Sequence, residues 1–225
     1  MISLALIGKN ISHSRSPQIY EELLNQKIDY QLYDCAEERD IPNLQEIFKK
    51  HQGVSITSPY KKFFLDKVLV MPGFEQLNAV NAIRKSGDIF EALNTDYLAI
   101  DKILEDFKGF KIIVLGSGVM ALITEKILEK KRFEYKVFSR KNNGPIEKIN
   151  LTKVFRSENE NILIINSCSR DYIFNGALPE NSVFWDYNYD FKPHQDLIPT
   201  KNVRYIDGFN LLKLQAKFAL EFFRF

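Results

Sequence analysis

Short runs of β-branched and aliphatic residues alternate with stretches of helical period over the first hundred positions. The runs are SLALIG (3–8), YQLYDC (30–35) and GVSIT (53–57). Between and after them come SPQIYEELLNQK (16–27), IPNLQEIFKK (41–50) and PYKKFFLDKVL (59–69). Such alternation predicts βαβ units and a mostly parallel sheet. Ser16, Pro17 and then Glu21 and Glu22 mark a helix start, with proline at the first helical position and acids in the early turns. NAVNAIRK and DIFEALN flank Ser86-Gly87 and predict a hairpin. TDYLAIDKILEDF then repeats an apolar face through Leu98, Ile103, Leu104 and Phe107, which predicts a helix.

The pattern restarts at Phe110. FKIIVLG is an uninterrupted apolar run of the kind buried on both faces of a sheet. A helix is predicted over 119–131 and strands over 134–139, 161–166, 182–187 and 203–206, with a break at Gly144-Pro145. After Gly208, FNLLKLQAKFALEFF is apolar over more than half its circumference and predicts a buried helix. A second α/β unit therefore follows the first, with the boundary near Asp96. The length of 225 residues accommodates two modest domains.

Composition narrows the function classes. An apolar fraction of 45% is enough to bury a core. With 31 basic and 29 acidic side chains, the net charge of +2 leaves no broad positive surface for a nucleic-acid backbone. No apolar run approaches the roughly 20 residues that cross a bilayer, and MISLALIGKN lacks the charge and length of a leader. No nucleic acid, no membrane and a cytoplasmic location are expected. Cys35 and Cys168 are too few for a zinc site and read as reduced thiols. His51 and His194 have no spaced partners and read as surface residues, whereas Trp185 sits in an apolar strand and reads as core.

Candidate chemistry sits at the ends of the predicted strands. KIIVLG runs into Gly116-Ser117-Gly118 and a helix, with Ala121 at the third position of the dinucleotide fingerprint. That turn presents backbone N–H groups and a positive helix end to a pyrophosphate. The next strand ends in Ser139, Arg140 and Lys141. An acid there would bind the ribose hydroxyl of NAD, so the basic residues favour NADP(H). In the first half, Ser14, Ser16, Thr57, Lys61, Asn81 and Asn94-Thr95-Asp96 follow or precede strands in the same way. Hydroxyls, amides, one amine and one carboxylate suit a small acid with several hydroxyls. Taken singly, Ser16 and Thr95 also read as helix caps and Asp96 as a first-turn acid.

The joint order is more specific. HSRSP (13–17), SITSPYK (55–61), AVN (79–81), NTD (94–96), VLGSG (114–118), SR (139–140), IIN (164–166), DYNY (186–189), Gly208 and Gln215 together resemble the shikimate dehydrogenase family over nearly the whole chain. The resemblance implies two α/β domains with a cleft between them. One is an N-terminal substrate-binding domain with a mostly parallel mixed sheet, over 1–97 plus 208–225. The other is a Rossmann-like NADP-binding domain over 98–207. It implies Lys61 and Asp96 as the catalytic pair, with Asp96 holding Lys61 in place. Ser14, Ser16 and Tyr189 would bind the substrate carboxylate, and Thr57, Asn81, Asp96 and Gln215 its ring hydroxyls. Gly116, Ser117, Gly118, Val119, Ser139, Arg140, Lys141, Asn166 and Gly208 would bind NADP(H).

The implied reaction is the reversible NADP-dependent reduction of 3-dehydroshikimate to shikimate, in chorismate and aromatic amino acid biosynthesis, by a monomer or homodimer. Ser55, Val119, Ser139, Lys141, Tyr97 and Asn210 depart from the family pattern, and Val119 is expected to crowd the pyrophosphate. A quinate/shikimate-like dehydrogenase using NAD and a non-catalytic ligand-binding relative are the alternative readings. Retention of both Lys61 and Asp96 argues against the latter.

Overall fold

The computed structural model describes residues 1–155 and 160–225. The chain forms two compact units, Met1–Ala99 with Lys213–Phe225 and Ile100–Leu212. Each has its own sheet, as the restart of the pattern at Phe110 predicts. The described α-helices are α1 (Ser16–Leu24), α2 (Leu44–Ile47), α3 (Thr95–Ile103), α4 (Val119–Lys131), α5 (Arg140–Asn143), α6 (Lys192–Leu197) and α7 (Phe209–Phe223). The hydrophobic pattern does not predict the short α5 and α6. No described helix is long and apolar enough to cross a membrane.

The first unit carries six strands: β1 (Ser3–Gly8), β2 (Asp29–Asp34), β3 (Gly53–Ile56), β4 (Leu69–Val70), β5 (Ala82–Ser86) and β6 (Ile89–Leu93), in the order β2-β1-β3-β5-β6-β4. Strand β1 is parallel to β2 and β3, while β5 is antiparallel to β3 and β6. The sheet is therefore mixed. Strands β5 and β6 are the predicted hairpin, with Ser86 opposite Ile89 and Gly87-Asp88 as the loop. Gly87 has φ +60°, the positive value that a type II′ turn needs at its first loop position.

One sheet face, carrying Ala5, Ile7, Val54, Ile56, Ile83 and Ala92, packs against Ile47, Phe64 and Val80. Glycine at 53 is required for the packing of α7. A Cβ there would lie 2.5 Å from the Phe223 ring, closer than side chains pack.

Two expectations are corrected in this unit. Residues 59–69 form turns and a short 3₁₀ segment, Leu65–Lys67, where the alternation predicted a helix. Val80 N donates to Lys61 O (2.8 Å), taking the carbonyl that a helix would offer to Leu65 N. His51 is not at the surface but 4% exposed. Its Nδ1 meets Ser3 Oγ at 2.8 Å and its Nε2 meets Tyr33 OH at 2.9 Å. Both partners come from other strands, out of reach of any local spacing rule.

Burial holds the His51 pKa below its usual 6.5. The unfolded chain then binds that proton more readily than the folded one. Stability from this group is complete above about pH 6.5 and is lost as the pH falls toward the depressed value. Urea midpoints measured at about pH 7.5 and about pH 5.5 are expected to differ less in His51→Gln than in the wild type.

The second unit is a parallel sheet of β7 (Lys111–Leu115), β8 (Tyr135–Phe138), β9 (Ile162–Asn166), β10 (Val183–Asp186) and β11 (Arg204–Ile206), ordered β11-β10-β9-β7-β8. Ile112 to Leu115 are fully buried, as their unbroken apolar run predicts. The chain passes from β7 outward to β8 and then back to β9 on the other side of β7. The strand order thus reverses beside the carboxyl end of β7, where open α/β sheets take their ligands. Ile146, Leu151 and Phe155 pack with Tyr172, Phe174 and Leu178 against one face. His194, also expected at the surface, is completely buried here. Trp185 is core, as predicted. Both cysteines are free thiols.

Candidate active site

In the first unit the topology gathers the predicted residues along one sheet edge. Strands β1, β3 and β6 point the same way and β5 the opposite way. The carboxyl ends of β1, β3 and β6 therefore lie beside the amino end of β5. Ser14 and Ser16 follow β1, Thr57 and Lys61 follow β3, Asn81 precedes β5, and Asp96 follows β6.

Lys61 Nζ donates to Asp96 Oδ2 at 2.8 Å, with the two side chains only 8% and 11% exposed. Asn81 Nδ2 donates to the same oxygen at 2.8 Å and to Thr95 Oγ1 at 2.9 Å. Asn81 Oδ1 in turn accepts Thr95 N at 2.6 Å. Thr95 Oγ1 reaches Gln215 Oε1 on α7 at 3.1 Å. Four predicted residues, Lys61, Asn81, Asp96 and Gln215, thus belong to one hydrogen-bonded network.

Its backbone is pinned on all sides. Lys61 is flanked by buried Tyr60, whose hydroxyl donates to Cys35 O at 2.8 Å. Asn94 Oδ1 accepts Tyr97 N at 3.0 Å and so caps α3, leaving Thr95 for the network. Asn94 and Thr95 were legible as part of NTD, but their separate tasks were not. An amine and a carboxylate fixed side by side, with amides around them, can bind a hydroxyl and move its proton.

Ser14 Oγ donates to Ser16 Oγ at 3.1 Å and accepts Ser16 N at 3.2 Å. Ser16 does not cap α1, whose N-cap is Arg15. Thr57 lies over the end of β1, where a Cβ on Gly8 would sit 2.4 Å from its methyl. Beside these residues is a feature the sequence did not single out. Tyr20 OH and Ser55 Oγ are 3.0 Å apart, and the Tyr30 hydroxyl is buried with them. Burial pushes both phenols far above their usual range, so both are neutral.

In the second unit Gly116, Ser117, Gly118 and Val119 form the turn from β7 into α4. Gly116 has φ +122°, and a Cβ on it would meet Ser167 Oγ at 2.6 Å. Gly118 has open space on its Cβ side, and no side chain caps α4. The turn therefore fits a phosphate at the N-terminus of a 13-residue helix. Arg140 and Lys141 are exposed just beyond β8. Ser139 is buried and accepts Asn142 N at 3.3 Å, which caps the short α5 and shapes the turn presenting those cations.

Asn166 ends β9 fully buried, with Nδ2 on Asp186 Oδ1 (3.0 Å) and Oδ1 accepting Cys168 N (3.2 Å). Tyr189 follows β10, half-buried, with the Arg170 guanidinium 5.4 Å from its ring centroid. Gly208 follows β11, and a Cβ there would lie 2.2 Å from Tyr187 O.

Comparison with known proteins finds shikimate dehydrogenases. Residues 6–83 match the model of the shikimate dehydrogenase substrate binding domain, a span that includes Ser14, Ser16, Thr57, Lys61 and Asn81. A shikimate dehydrogenase (NADP(+)) from Clostridium botulinum strain Hall is 30% identical over 128 residues, 52% of this chain and 49% of that protein. The chain thus spans about half the length of the first curated relatives it matches. A shikimate dehydrogenase from Sulfurisphaera tokodaii is 27% identical over 229 residues, 95% of this chain and 85% of that protein.

Among solved structures, shikimate 5-dehydrogenase from Thermus thermophilus in complex with NADP(H) and shikimate shares the fold. Its TM-score is 0.75 at 20% identity, covering 99% of this chain and 93% of that one. In the domain model matched over residues 6–83, in these relatives and in the two-domain fold, the chain is similar to shikimate dehydrogenases.

Proposed function

We propose that this protein is an NADP-dependent shikimate dehydrogenase, reversibly reducing 3-dehydroshikimate to shikimate in the cytoplasm as a monomer or homodimer. The first unit binds the acid and the second the nucleotide. The observation that carries the reading is the buried Lys61–Asp96 pair, joined through Asn81 and Thr95 to Gln215. A binding module has no need of a desolvated amine against a carboxylate. The reacting carbon needs a hydride, which NADPH supplies when bound.

The chain's own residues manage the oxygen. Lys61 Nζ, oriented by Asp96 Oδ2, is placed to give a proton to the carbonyl oxygen as negative charge develops there, and to take it back in the reverse direction. Asp96, Asn81, Thr57 and Gln215 hold the ring hydroxyls. The Ser14 and Ser16 hydroxyls take the carboxylate. For the nucleotide, the turn 116–119 would hold the pyrophosphate and Arg140 with Lys141 the 2′-phosphate. Asn166 and Gly208 complete that set, Asn166 through the loop its side chain braces.

The test is to mix purified protein with NADPH and 3-dehydroshikimate and follow absorbance of the reduced nicotinamide, with NADH and dehydroquinate as parallel arms. Loss of NADPH absorbance with 3-dehydroshikimate supports the reading. No turnover of any pair by folded protein overturns it. Arg140→Ala is expected to raise the KM for NADPH about tenfold while leaving that for NADH unchanged, because a charge-assisted phosphate contact contributes roughly 1.5–3 kcal/mol.

A further inference from the structure

Asp186, at the carboxyl end of β10, is completely buried and accepts five hydrogen bonds. Oδ1 takes Asn166 Nδ2 at 3.0 Å, Asn188 N at 3.0 Å and Asn188 Nδ2 at 2.9 Å. Oδ2 takes His194 Nδ1 at 2.6 Å and Tyr205 OH at 3.4 Å. The tautomer of His194 follows from its other nitrogen. Nε2 lies 2.8 Å from Phe174 N, and a backbone N–H can only donate. Nε2 therefore accepts, the ring proton is on Nδ1, and it points at Asp186. Neither Asp186 nor His194 has a role in the reading above.

The loops tied to this centre are those that surround the strand-order reversal. Through Asn166, Asp186 fixes the amide of Cys168. Between them Ser167 holds Leu115 O with its N at 2.9 Å and its Oγ at 2.7 Å, directly beneath Gly116. Asn188 Nδ2 also reaches Cys168 O at 3.1 Å, and Asn188 O accepts Gly208 N at 3.0 Å. One carboxylate thus connects the turn after β7 with the loops after β9, β10 and β11.

We propose that Asp186 and His194 are a positioning pair that holds the glycine turn and the 166–168 and 208 loops in the shape the nucleotide requires. The inference rests on the nucleotide-binding reading of this unit. The pair touches no ligand itself and acts through Asn166, Ser167 and Asn188. His194 supplies the one ring N–H that keeps Asp186 Oδ2 fixed while Oδ1 gathers the asparagines.

The test uses the full chain as wild type, His194→Ala and His194→Asn. Two readouts are taken: hydrogen exchange at the amides of Cys168, Asn188 and Gly208, and NADPH titration followed by emission of Trp185, the single tryptophan. His194→Ala is expected to exchange these amides about tenfold faster and to bind NADPH about tenfold more weakly. In His194→Asn the amide Nδ2 stands where Nδ1 was. Both readouts are expected to return to within about threefold of wild type, while the melting temperature stays low because Phe174 N has lost its acceptor.

Faster exchange with unchanged NADPH affinity reduces the pair to a structural contact and overturns the proposal. So does wild-type exchange in folded His194→Ala. Absence of NADPH binding by the wild type sinks the nucleotide reading together with this inference, whereas wild-type binding with unchanged affinity in His194→Ala sinks the inference alone.

Discussion

Replacing Lys61 by alanine is expected to lower turnover about a thousandfold while leaving NADPH affinity within about threefold of wild type. The size follows from what the amine does on the proposed reading. It is the group that exchanges a proton with the reacting oxygen, and a positioned acid or base contributes roughly 10²- to 10⁴-fold. The asymmetry follows from its place. Lys61 lies at the strand-end network of the first unit, while the glycine turn and Arg140 belong to the second. Turnover should therefore fall without a matching change in cofactor binding.

The variant also leaves Asp96 buried without its cationic partner, and breaking a buried pair costs roughly 3–5 kcal/mol. A melting curve must accompany the kinetics. Asp96→Asn gives an internal check, because it keeps an oxygen to accept from Lys61 Nζ while removing the charge. It should lose less stability than Lys61→Ala and still lose most turnover. Near-normal turnover by folded Lys61→Ala, followed by reduced-nicotinamide absorbance, would remove the residue from the mechanism.

The legible parts of this molecule share a local cause. Within FKIIVLG, residues 112–115 are apolar at every step because β7 is covered on both faces there, and the α4 and α7 spans follow from unbroken helical period. Ser86-Gly87 marked the hairpin because glycine takes the positive φ of the first loop position without the cost a Cβ adds. The network of Lys61, Asn81 and Asp96 was legible only as an order of short motifs, since residues 15 to 35 positions apart carry no periodic signal.

What escaped was set by distant partners. The 59–69 stretch has helical spacing, but Val80 N captures the Lys61 carbonyl and turns the chain aside. His51 and His194 had no sequence neighbours of matching chemistry. Ser3 and Tyr33 reach one, and Asp186 with the Phe174 amide reach the other, only after the strands pair. Tyr20 beside Ser55 is a similar case, a contact made between α1 and β3 rather than along the chain.

Gly116→Ala is expected to weaken NADPH binding at least tenfold and to lower the melting temperature by on the order of 5–10 °C, a loss of about 2–3 kcal/mol for a chain of this size. Two costs add. A φ of +122° lies well outside the regions that L-residues with a Cβ occupy. The new Cβ would also fall 2.6 Å from Ser167 Oγ, which cannot retreat without giving up its 2.7 Å bond to Leu115 O. Whichever side yields, the turn moves away from the phosphate position at the N-terminus of α4.

Gly118→Ala separates the two requirements. Gly118 has φ −78° and nothing within 4 Å of where its Cβ would point, so the fold should tolerate alanine there with little change in melting temperature. The methyl would instead occupy space through which backbone approaches a pyrophosphate. Weaker NADPH binding at unchanged stability in Gly118→Ala, beside combined losses in Gly116→Ala, is the signature of a turn that serves a dinucleotide. Unchanged affinity in both folded variants would mean that the two glycines serve only the passage from strand to helix.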